Sequence, residues 1–343
     1  MLRVLIVGSD KIFAIENYYV KYLKQKAVDV ELLCAFNLFI DYYEASTFNK
    51  LVFKAGFSSI YKKINEHFRK SVANFRPDVI WVFKGMEIFP ASLEWARAQN
   101  IKLVNYNPDN PLVFSDKGSG NQNVTDSISL YDLHLTYHMG VKKELEEKFH
   151  SNVAILPFGF DDDEQLYRQC CSQDEVLKTC FLGNPDERRA SFINRLAASG
   201  VVIDIYGNDW SKFLKHSNIT LFPPAYGQEQ WKVLRRYRAQ LNLMRIHNDD
   251  SHNMRSFEVP GIGGIMVAPN TAEHRIYFEN GKEVFLYKDA DDCVATIKNL
   301  MSMTAEDASE IRNAARKRSI SSGYSYKERA AQALGHIQSL FTS

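Results

Sequence analysis

Short runs of β-branched and aromatic residues recur along this chain, each followed by a segment with apolar residues three or four apart. That alternation restricts the fold more than any other feature. In the first half, residues 2–7, 30–34, 79–83, 102–105, 133–136 and 153–156 read as buried strands. Residues 16–25, 59–75, 91–98 and 139–149 read as helices between them. Strand–helix alternation at this pitch implies an α/β fold with a parallel sheet covered by helices on both faces. Residues 36–57, rich in aromatics, interrupt the pattern and read as irregular, an inserted hairpin or lid.

The run Phe158-Gly159-Phe160, followed by Asp161-Asp162-Asp163-Glu164, ends this first series, and the polar stretch to about Asp174 reads as a linker. The pattern then restarts. Strands are expected at 179–182, 201–206, 219–222, 240–244, 265–268 and 283–286, with helices at 186–198, 228–238, 253–259, 291–301, 305–319 and 326–341. A chain of 343 residues has room for two such series, at ~150 residues per domain. The expected division is 1–160 and 175–325, with 326–343 a closing helix that crosses back to the first domain. Two Rossmann-like halves without a glycine-rich dinucleotide fingerprint follow, facing each other across a cleft, with ligands at the carboxyl ends of the strands.

Composition narrows the partners. With 42 Lys+Arg against 41 Asp+Glu, the chain has no overall field to grip nucleic acid. Cys34, Cys170, Cys171, Cys180 and Cys293 include no C-x-x-C and no metal-type spacing, as expected of a reduced, cytoplasmic setting without structural zinc. The apolar run at 2–7 is too short for a signal peptide, and no stretch reaches the ~18 apolar residues of a membrane span. The basic stretch Arg312, Arg316, Lys317, Arg318, Lys327 and Arg329 can be an attachment to an anionic membrane or, more simply, a solvated helical face.

Residues 244–264 are the most informative. A strand runs into a polar loop, then a helix start at Asn253-Met254-Arg255, then a glycine-rich stop. A helix start at a strand's carboxyl edge receives anions, because its first N–H groups lack intrahelical partners. Arg255 adds a fixed charge suited to phosphate, and Glu258, one turn on, can accept hydrogen bonds from two adjacent hydroxyls such as those of a ribose. Together they describe a nucleotide site. A plainer account uses the same residues: Asp250 or Ser251 caps the helix, Arg255 is solvated and Glu258 pairs with a surface lysine.

A second strand–turn–helix, Phe181-Leu182-Gly183-Asn184-Pro185-Asp186, leads into Arg188-Arg189. Gly183 permits close backbone approach and Arg188 can reach a diphosphate, unless both arginines are plain helix surface. The turns Tyr206-Gly207-Asn208-Asp209-Trp210 and Phe222-Pro223-Pro224-Ala225 can hold a base by stacking or backbone bonds, or simply pack. In the first half, Phe83-Lys84-Gly85-Met86 and the loop around Asp109 sit at strand ends, with Asp109 either a base and hydroxyl-binding group or a turn former. His134 and His138 read as structural.

At this point a resemblance enters. Arg255-Ser256-Phe257-Glu258 with Gly263-Gly264-Ile265-Met266, Phe181-Leu182-Gly183 with Arg188, and Tyr206-Gly207-Asn208-Asp209-Trp210 resemble the signature of glycosyltransferases similar to the spore maturation protein CgeB. Val82-Phe83-Lys84-Gly85 and the Asp109 loop resemble that family's first domain, so the similarity spans about 79–300. It implies the GT-B fold, with an acceptor-binding domain followed by a nucleotide-sugar-binding domain. It implies transfer from a sugar nucleotide, a UDP-sugar by preference, to a hydroxyl of a glycan, lipid-linked glycan or protein, as in polysaccharide biosynthesis.

The related family 4 carries two glutamates eight positions apart; Asp250 and Glu258 have that separation, with Asp in the first place. By that resemblance Asp109, Asp250 and Arg255 are the catalytic candidates. Gly183, Arg188, Tyr206, Gly207, Pro223, Asn253, Met254, Arg255 and Glu258 are the donor-binding ones. Retention of configuration is implied. No cofactor or metal is expected, and the nearest candidate for a metal-holding Asp-x-Asp, Asp161-Asp162-Asp163, reads as a solvated turn. The rival readings are sugar-nucleotide 2-epimerisation on the same fold and a non-enzymatic two-lobed sugar-binding protein.

Overall fold

The computed structural model describes residues 1–114, 118–245 and 249–342. Within them the chain forms two compact units, Met1–Pro157 with Arg329–Ser343, and Phe158–Glu328.

The first unit is built on β1 (Arg3–Val7), β2 (Asp29–Leu33), β3 (Val79–Phe83), β4 (Lys102–Tyr106), β5 (Leu133–Thr136) and β6 (Val153–Ile155), in the order β2-β1-β3-β4-β5-β6 and parallel throughout. All five residues of β3, Val-Ile-Trp-Val-Phe, are buried, as a strand covered on both faces requires. The helices are α1 (Glu16–Gln25), α2 (Ala35–Glu44), α3 (Thr47–Lys54), α4 (Ile60–Phe75), α5 (Pro90–Arg97), α6 (Gln122–Asp126) and α7 (Met139–Phe149). Ile64, Phe68 and Val72 of α4 recur at helical spacing and close the core against Leu5, Ile80 and Val82.

The aromatic segment 36–57, expected to be irregular, is instead the helix pair α2 and α3. Its rings are what hold the pair: Phe39 meets Phe53 at 4.9 Å, Tyr43 at 5.5 Å and Tyr61 of α4 at 5.5 Å between centroids. Clustered aromatics obscure the apolar period in a sequence but serve helix–helix packing well.

The second unit starts with α8 (Glu164–Cys171), which lies in the polar stretch expected to be a linker. Asp163 caps it by accepting from Leu166 N–H, and Leu166 and Cys170 bury its inner side. The sheet follows: β7 (Val176–Leu182), α9 (Glu187–Ala198), β8 (Ile203–Tyr206), β9 (Ile219–Phe222), α10 (Gly227–Arg236), β10 (Tyr237–Leu241), α11 (Arg255–Gly261), β11 (Met266–Pro269), α12 (Ala272–Tyr277), β12 (Phe285–Tyr287) and α13 (Ala290–Ser302). Strand order is β12-β11-β10-β7-β8-β9, so the order reverses between β7 and β10. In doubly wound sheets ligands bind beside that reversal.

Two long helices end the chain, α14 (Ala305–Ser321) and α15 (Tyr326–Ser339). Phe160 and Ser325 form a parallel bridge in which Tyr326 N–H donates to Phe160 O at 2.9 Å, joining the two ends of the second unit. From Arg329 onward the chain belongs to the first unit. No helix among the described residues is long and apolar enough to cross a membrane.

The basic stretch near the C-terminus is divided: Lys317 and Lys327 are exposed, as a solvated face requires, but its arginines are not. Arg312, Arg316 and Arg329 are buried, not a solvated or membrane-facing row. Arg312 and Arg238 both grip Glu175, and Arg316 reaches Asp162 and Glu164 while lying 3.7 Å over the Tyr167 ring. Charges removed from water are tolerated only with such partners.

Gly207 is a glycine for steric reasons. A Cβ there would lie 2.2 Å from the carbonyl oxygen of Gly183, where the turns after β7 and β8 cross. Gly207→Ala is therefore expected to lower stability by about 1–3 kcal/mol, the usual cost of forced overpacking. Urea denaturation of the two proteins would measure it.

Candidate functional site

In the second unit the segment before α11 is fastened by a buried polar network. Asn253 Nδ2 donates to Asn242 Oδ1 at 2.7 Å, and Asn242 Nδ2 donates to Ser256 Oγ at 3.1 Å. Ser256 Oγ and His274 Nε2 lie 2.8 Å apart, and His274 Nδ1 lies 2.8 Å from Pro269 O. Only one proton arrangement satisfies this chain: His274 donates from Nδ1 to the carbonyl and accepts from Ser256 at Nε2. A neutral ring is required, and burial holds the His274 pKa down at about 4. Ser251 Oγ donates to Glu273 Oε2 at 2.6 Å, and His252 Nδ1 lies 2.5 Å from the same oxygen. The turn that presents Arg255 is thus anchored to β10, β11 and α12.

Neither Asp250 nor Ser251 caps α11. Met254 stands at the cap, and Asn253 performs the reciprocal bonding, accepting from Ser256 N–H at 3.3 Å and donating its own N–H to Ser256 Oγ at 3.2 Å. The amides of Ser256, Phe257 and Glu258 are bonded to Asn253 O and Met254 O within the turn. The expected anion cradle of free amides is therefore largely filled. What remains is the Arg255 guanidinium, half-buried, with its Nε unpartnered among the described residues. Glu258 is not a surface residue: it is 1% exposed, pairs with Arg255 and accepts from Gln230 Nε2 at 3.4 Å. Arg255 and Glu258 come together as a pair.

The turn after β7 behaves differently from expectation. Gly183 N–H donates to Tyr206 O at 3.0 Å and Gly183 O accepts from Trp210 Nε1 at 2.8 Å, so its close approach is to the β8 turn. Of the two arginines, Arg189 is the buried one. It donates to Asn184 O at 3.1 Å and Leu243 O at 2.8 Å, tying the ends of β7 and β10 across the strand-order reversal. Burial lowers its pKa to about 10. Arg188 is exposed and pairs with Asp249. Sequence reasoning named both arginines and chose Arg188; the signal for Arg189 was its i+3 position after the capping Asp186.

Tyr206 packs. Its ring stacks on Phe222 at 4.8 Å, and its hydroxyl accepts from Arg236 at 2.8 Å and lies 3.0 Å from the Tyr237 hydroxyl. Tyr237 in turn donates to Asp204 at 2.8 Å. Pro223 is exposed at the end of β9.

A cavity of about 610 Å³ opens between α9 and the start of α13, with Arg188, Arg189, Arg195, Asp249, Asp250 and Lys288 in its wall. Asp250 and Arg188 belong to this cavity, whose lining does not include Arg255 or Glu258. The reason is topological. α9 packs with α13, and α10 packs with α11, so the two loops lead into separate helix pairs. Residues Ile246, His247 and Asn248 of the intervening loop lie outside the described residues.

In the first unit the two loops singled out by sequence do meet. Lys84 Nζ lies 2.6 Å from Asp109 Oδ2 and donates to Gly118 O at 2.7 Å. Asp109 N–H donates to Asn107 Oδ1 at 2.9 Å, so Asp109 is both a turn former and an ion-pair partner. Lys84 and Gly85 both have positive φ, +59° and +100°. Four asparagines hold this turn: Asn105 donates to Val82 O at 3.2 Å, Asn65 to Glu87 O at 2.9 Å, and Asn121 and Asn123 to Met86 O at 2.9 and 2.8 Å. Strain maintained at such expense is typical of functional turns.

Two buried carboxyls accompany it. Burial pushes Glu16 and Glu87 each up to about 7, against the pull of Lys84. Neither was expected from sequence. His134 and His138 are structural, as read: His134 Nε2 bonds Ile128 O at 2.8 Å, and His138 Nδ1 accepts from Gly140 N–H at 3.0 Å.

Two Rossmann-like units with polar clusters at strand ends define the GT-B class of protein. Residues 184–335 match a family model described as glycosyl transferase-like. No curated protein matches the chain by sequence. Among solved structures, the chain is similar to sucrose-phosphate synthase from Thermosynechococcus elongatus, with a TM-score of 0.69 at 11% identity over 100% of both chains. It is similar to HepE from Anabaena in complex with UDP-glucose, TM-score 0.64 and 11% identity over 99% of this chain and 100% of that one. A Listeria monocytogenes protein described as a UDP-N-acetylglucosamine 2-epimerase gives a TM-score of 0.59 at 12% identity over 99% and 97%. These likenesses establish the GT-B fold, and with the matching domain they support a glycosyltransferase.

Proposed function

We propose that this protein transfers a glycosyl unit from a nucleotide sugar, a UDP-sugar by preference, to a hydroxyl acceptor. The observation that carries the reading is the Arg255–Glu258 pair, a buried carboxylate and a half-buried guanidinium on a turn that a polar network fixes in place. In this reading a nucleotide inserts into the pair: Glu258 turns its oxygens to the ribose hydroxyls, and Arg255 transfers its charge to the diphosphate. As the sugar–phosphate bond breaks, negative charge grows on the departing diphosphate, so a fixed guanidinium lowers the transition state more than the ground state. Asp109, paired with Lys84, is the group that receives the acceptor hydroxyl in the first unit. In the same reading Asp250, which shares a cavity wall with Arg188, contacts the sugar of the donor.

The finer assignments extend the same reading: a CgeB-like enzyme related to family 4, retaining, using no metal, of hexosyltransferase type, with a glycan, lipid-linked or protein acceptor. The complex of HepE with UDP-glucose favours uracil as the base.

Thermal stabilisation by a panel of UDP-, GDP-, CMP- and dTDP-sugars tests the donor. A ligand at 100 times its dissociation constant adds about 2.7 kcal/mol, and failure of every member would overturn the proposal. Product analysis with donor alone separates transfer from epimerisation, since slow hydrolysis marks a transferase and a free altered sugar an epimerase. Asp109→Asn is expected to keep donor stabilisation while lowering transfer by ~10²-fold or more, the scale of a lost general base.

A further inference from the structure

The exposed side of α3 is apolar where a surface helix should be polar. Thr47, Phe48, Leu51, Lys54 and Ala55 face outward, and Phe48 and Leu51 are 70% and 65% exposed. No residue of this helix is buried; it is held from its other side by Phe53, which packs edge-on against Tyr43 and Tyr61. The turn that follows carries Phe57, 85% exposed. Three large apolar side chains thus project from one helix and one turn. From Ala45 to Asn65 the chain has no acidic residue, yet it has Lys50, Lys54, Lys62 and Lys63. Of these, Lys54, Lys62 and Lys63 are exposed.

We propose that α3 and the turn after it are a docking element for an anionic lipid bilayer. Water-exposed phenyl and leucyl groups gain by entering the boundary between headgroups and acyl chains, and lysines beside them meet the anionic surface. Each lysine brought to such a surface is worth about fivefold in affinity. The cations and apolar groups share one short segment free of opposing carboxylates, which is the charge pattern a bilayer selects. The buried arginines of α14 and α15 cannot offer this, because their guanidiniums are turned inward. The inference is independent of the donor-site reading and tests separately from it.

The full chain would be sedimented with vesicles of phosphatidylcholine alone and with vesicles containing roughly a third phosphatidylglycerol. Binding to the anionic vesicles, little binding to the neutral ones, and release by salt are expected. The variant F48S/L51S/F57S should bind at least tenfold more weakly with an unchanged melting temperature, as should K54E/K62E. If the serine variant fails to fold, the lysine variant carries the test. Absence of binding to anionic vesicles at low salt would overturn the proposal, as would full binding by the variants that fold. So would a wild-type dimer that F48S/L51S/F57S converts to monomer without vesicle binding, since a second copy would then be the occupant.

Discussion

Glu175→Ala is expected to cost the second unit about 3 kcal/mol, the lower end of what breaking a buried charge cluster costs. Glu175 receives Arg238 at 2.5 and 2.8 Å and Arg312 at 2.7 Å, and those guanidiniums are 2% and 4% exposed. Both arginines keep backbone acceptors, Arg238 at Leu300 O and Met303 O and Arg312 at Arg235 O and Tyr237 O. They would retain hydrogen bonds but lose their counter-charge. The cluster ties β7, β10, α13 and α14 together, so its loss should appear as a lower urea midpoint.

Its pH dependence has a definite sign. Burial alone would raise the Glu175 pKa, but hydrogen bonds and charge from Arg238 and Arg312 outweigh it and bring the group from 4.5 to about 2. A carboxyl with a lowered folded pKa stabilises above its unfolded value and loses that contribution as pH falls through its folded value. The difference between wild type and Glu175→Ala should therefore be full above pH 4.5 and shrink toward pH 2. A difference that stayed constant across that window would mean the cluster is not held by the carboxylate's charge.

Glu258→Gln is the second large effect. It preserves shape while removing the charge that pairs with Arg255 and, in the proposed reaction, holds the ribose. Hydrogen bonds to a charged group are worth about 1.5–3 kcal/mol, so donor affinity should fall roughly 10- to 150-fold. Apo stability should change little, because the Arg255 side chain is partly exposed and water can solvate it. Calorimetric titration with the donor identified by the panel measures the first effect, and a melting curve without donor measures the second. Equal donor affinity in the two proteins would leave the pair a purely structural feature of α11.

The strands were the most legible part of the sequence. Val79–Phe83 lies where its continuous apolar run places it, because a strand buried on both faces favours apolar residues at every position. Where two periods compete, the boundary moved. The helix expected to 238 stops at Arg236, and Tyr237–Leu241 is already strand, because Tyr237 must pair with Val176 of β7. α12 was not anticipated. It is a six-residue helix capped by Thr271, too short to show a period.

For the site, position along the chain was legible and partnership was not. Lys84 and Asp109 were both singled out, yet nothing in sequence says that they touch, since β3 and β4 become neighbours only in the sheet. Glu258 was singled out, but its partner is an arginine on its own helix, where a surface lysine was the simple alternative. Arg188 looked equivalent to Arg189, and only the direction of α9 decided which one enters the strand crevice.

By itself, the sequence determined the α/β class, the strand–helix alternation in two series and the carboxyl-edge loops that carry the polar groups. Those follow from local period and turn chemistry, which neighbouring residues settle among themselves. Only the tertiary structure decided that Arg312, Arg316 and Arg329 are buried, that Asp250 lines a cavity whose wall does not include Arg255, and that α3 presents its apolar side to water. Burial and charge pairing depend on residues far apart in the chain, such as Glu175 and Arg312, and no local pattern encodes which distant group will arrive to pay the desolvation cost.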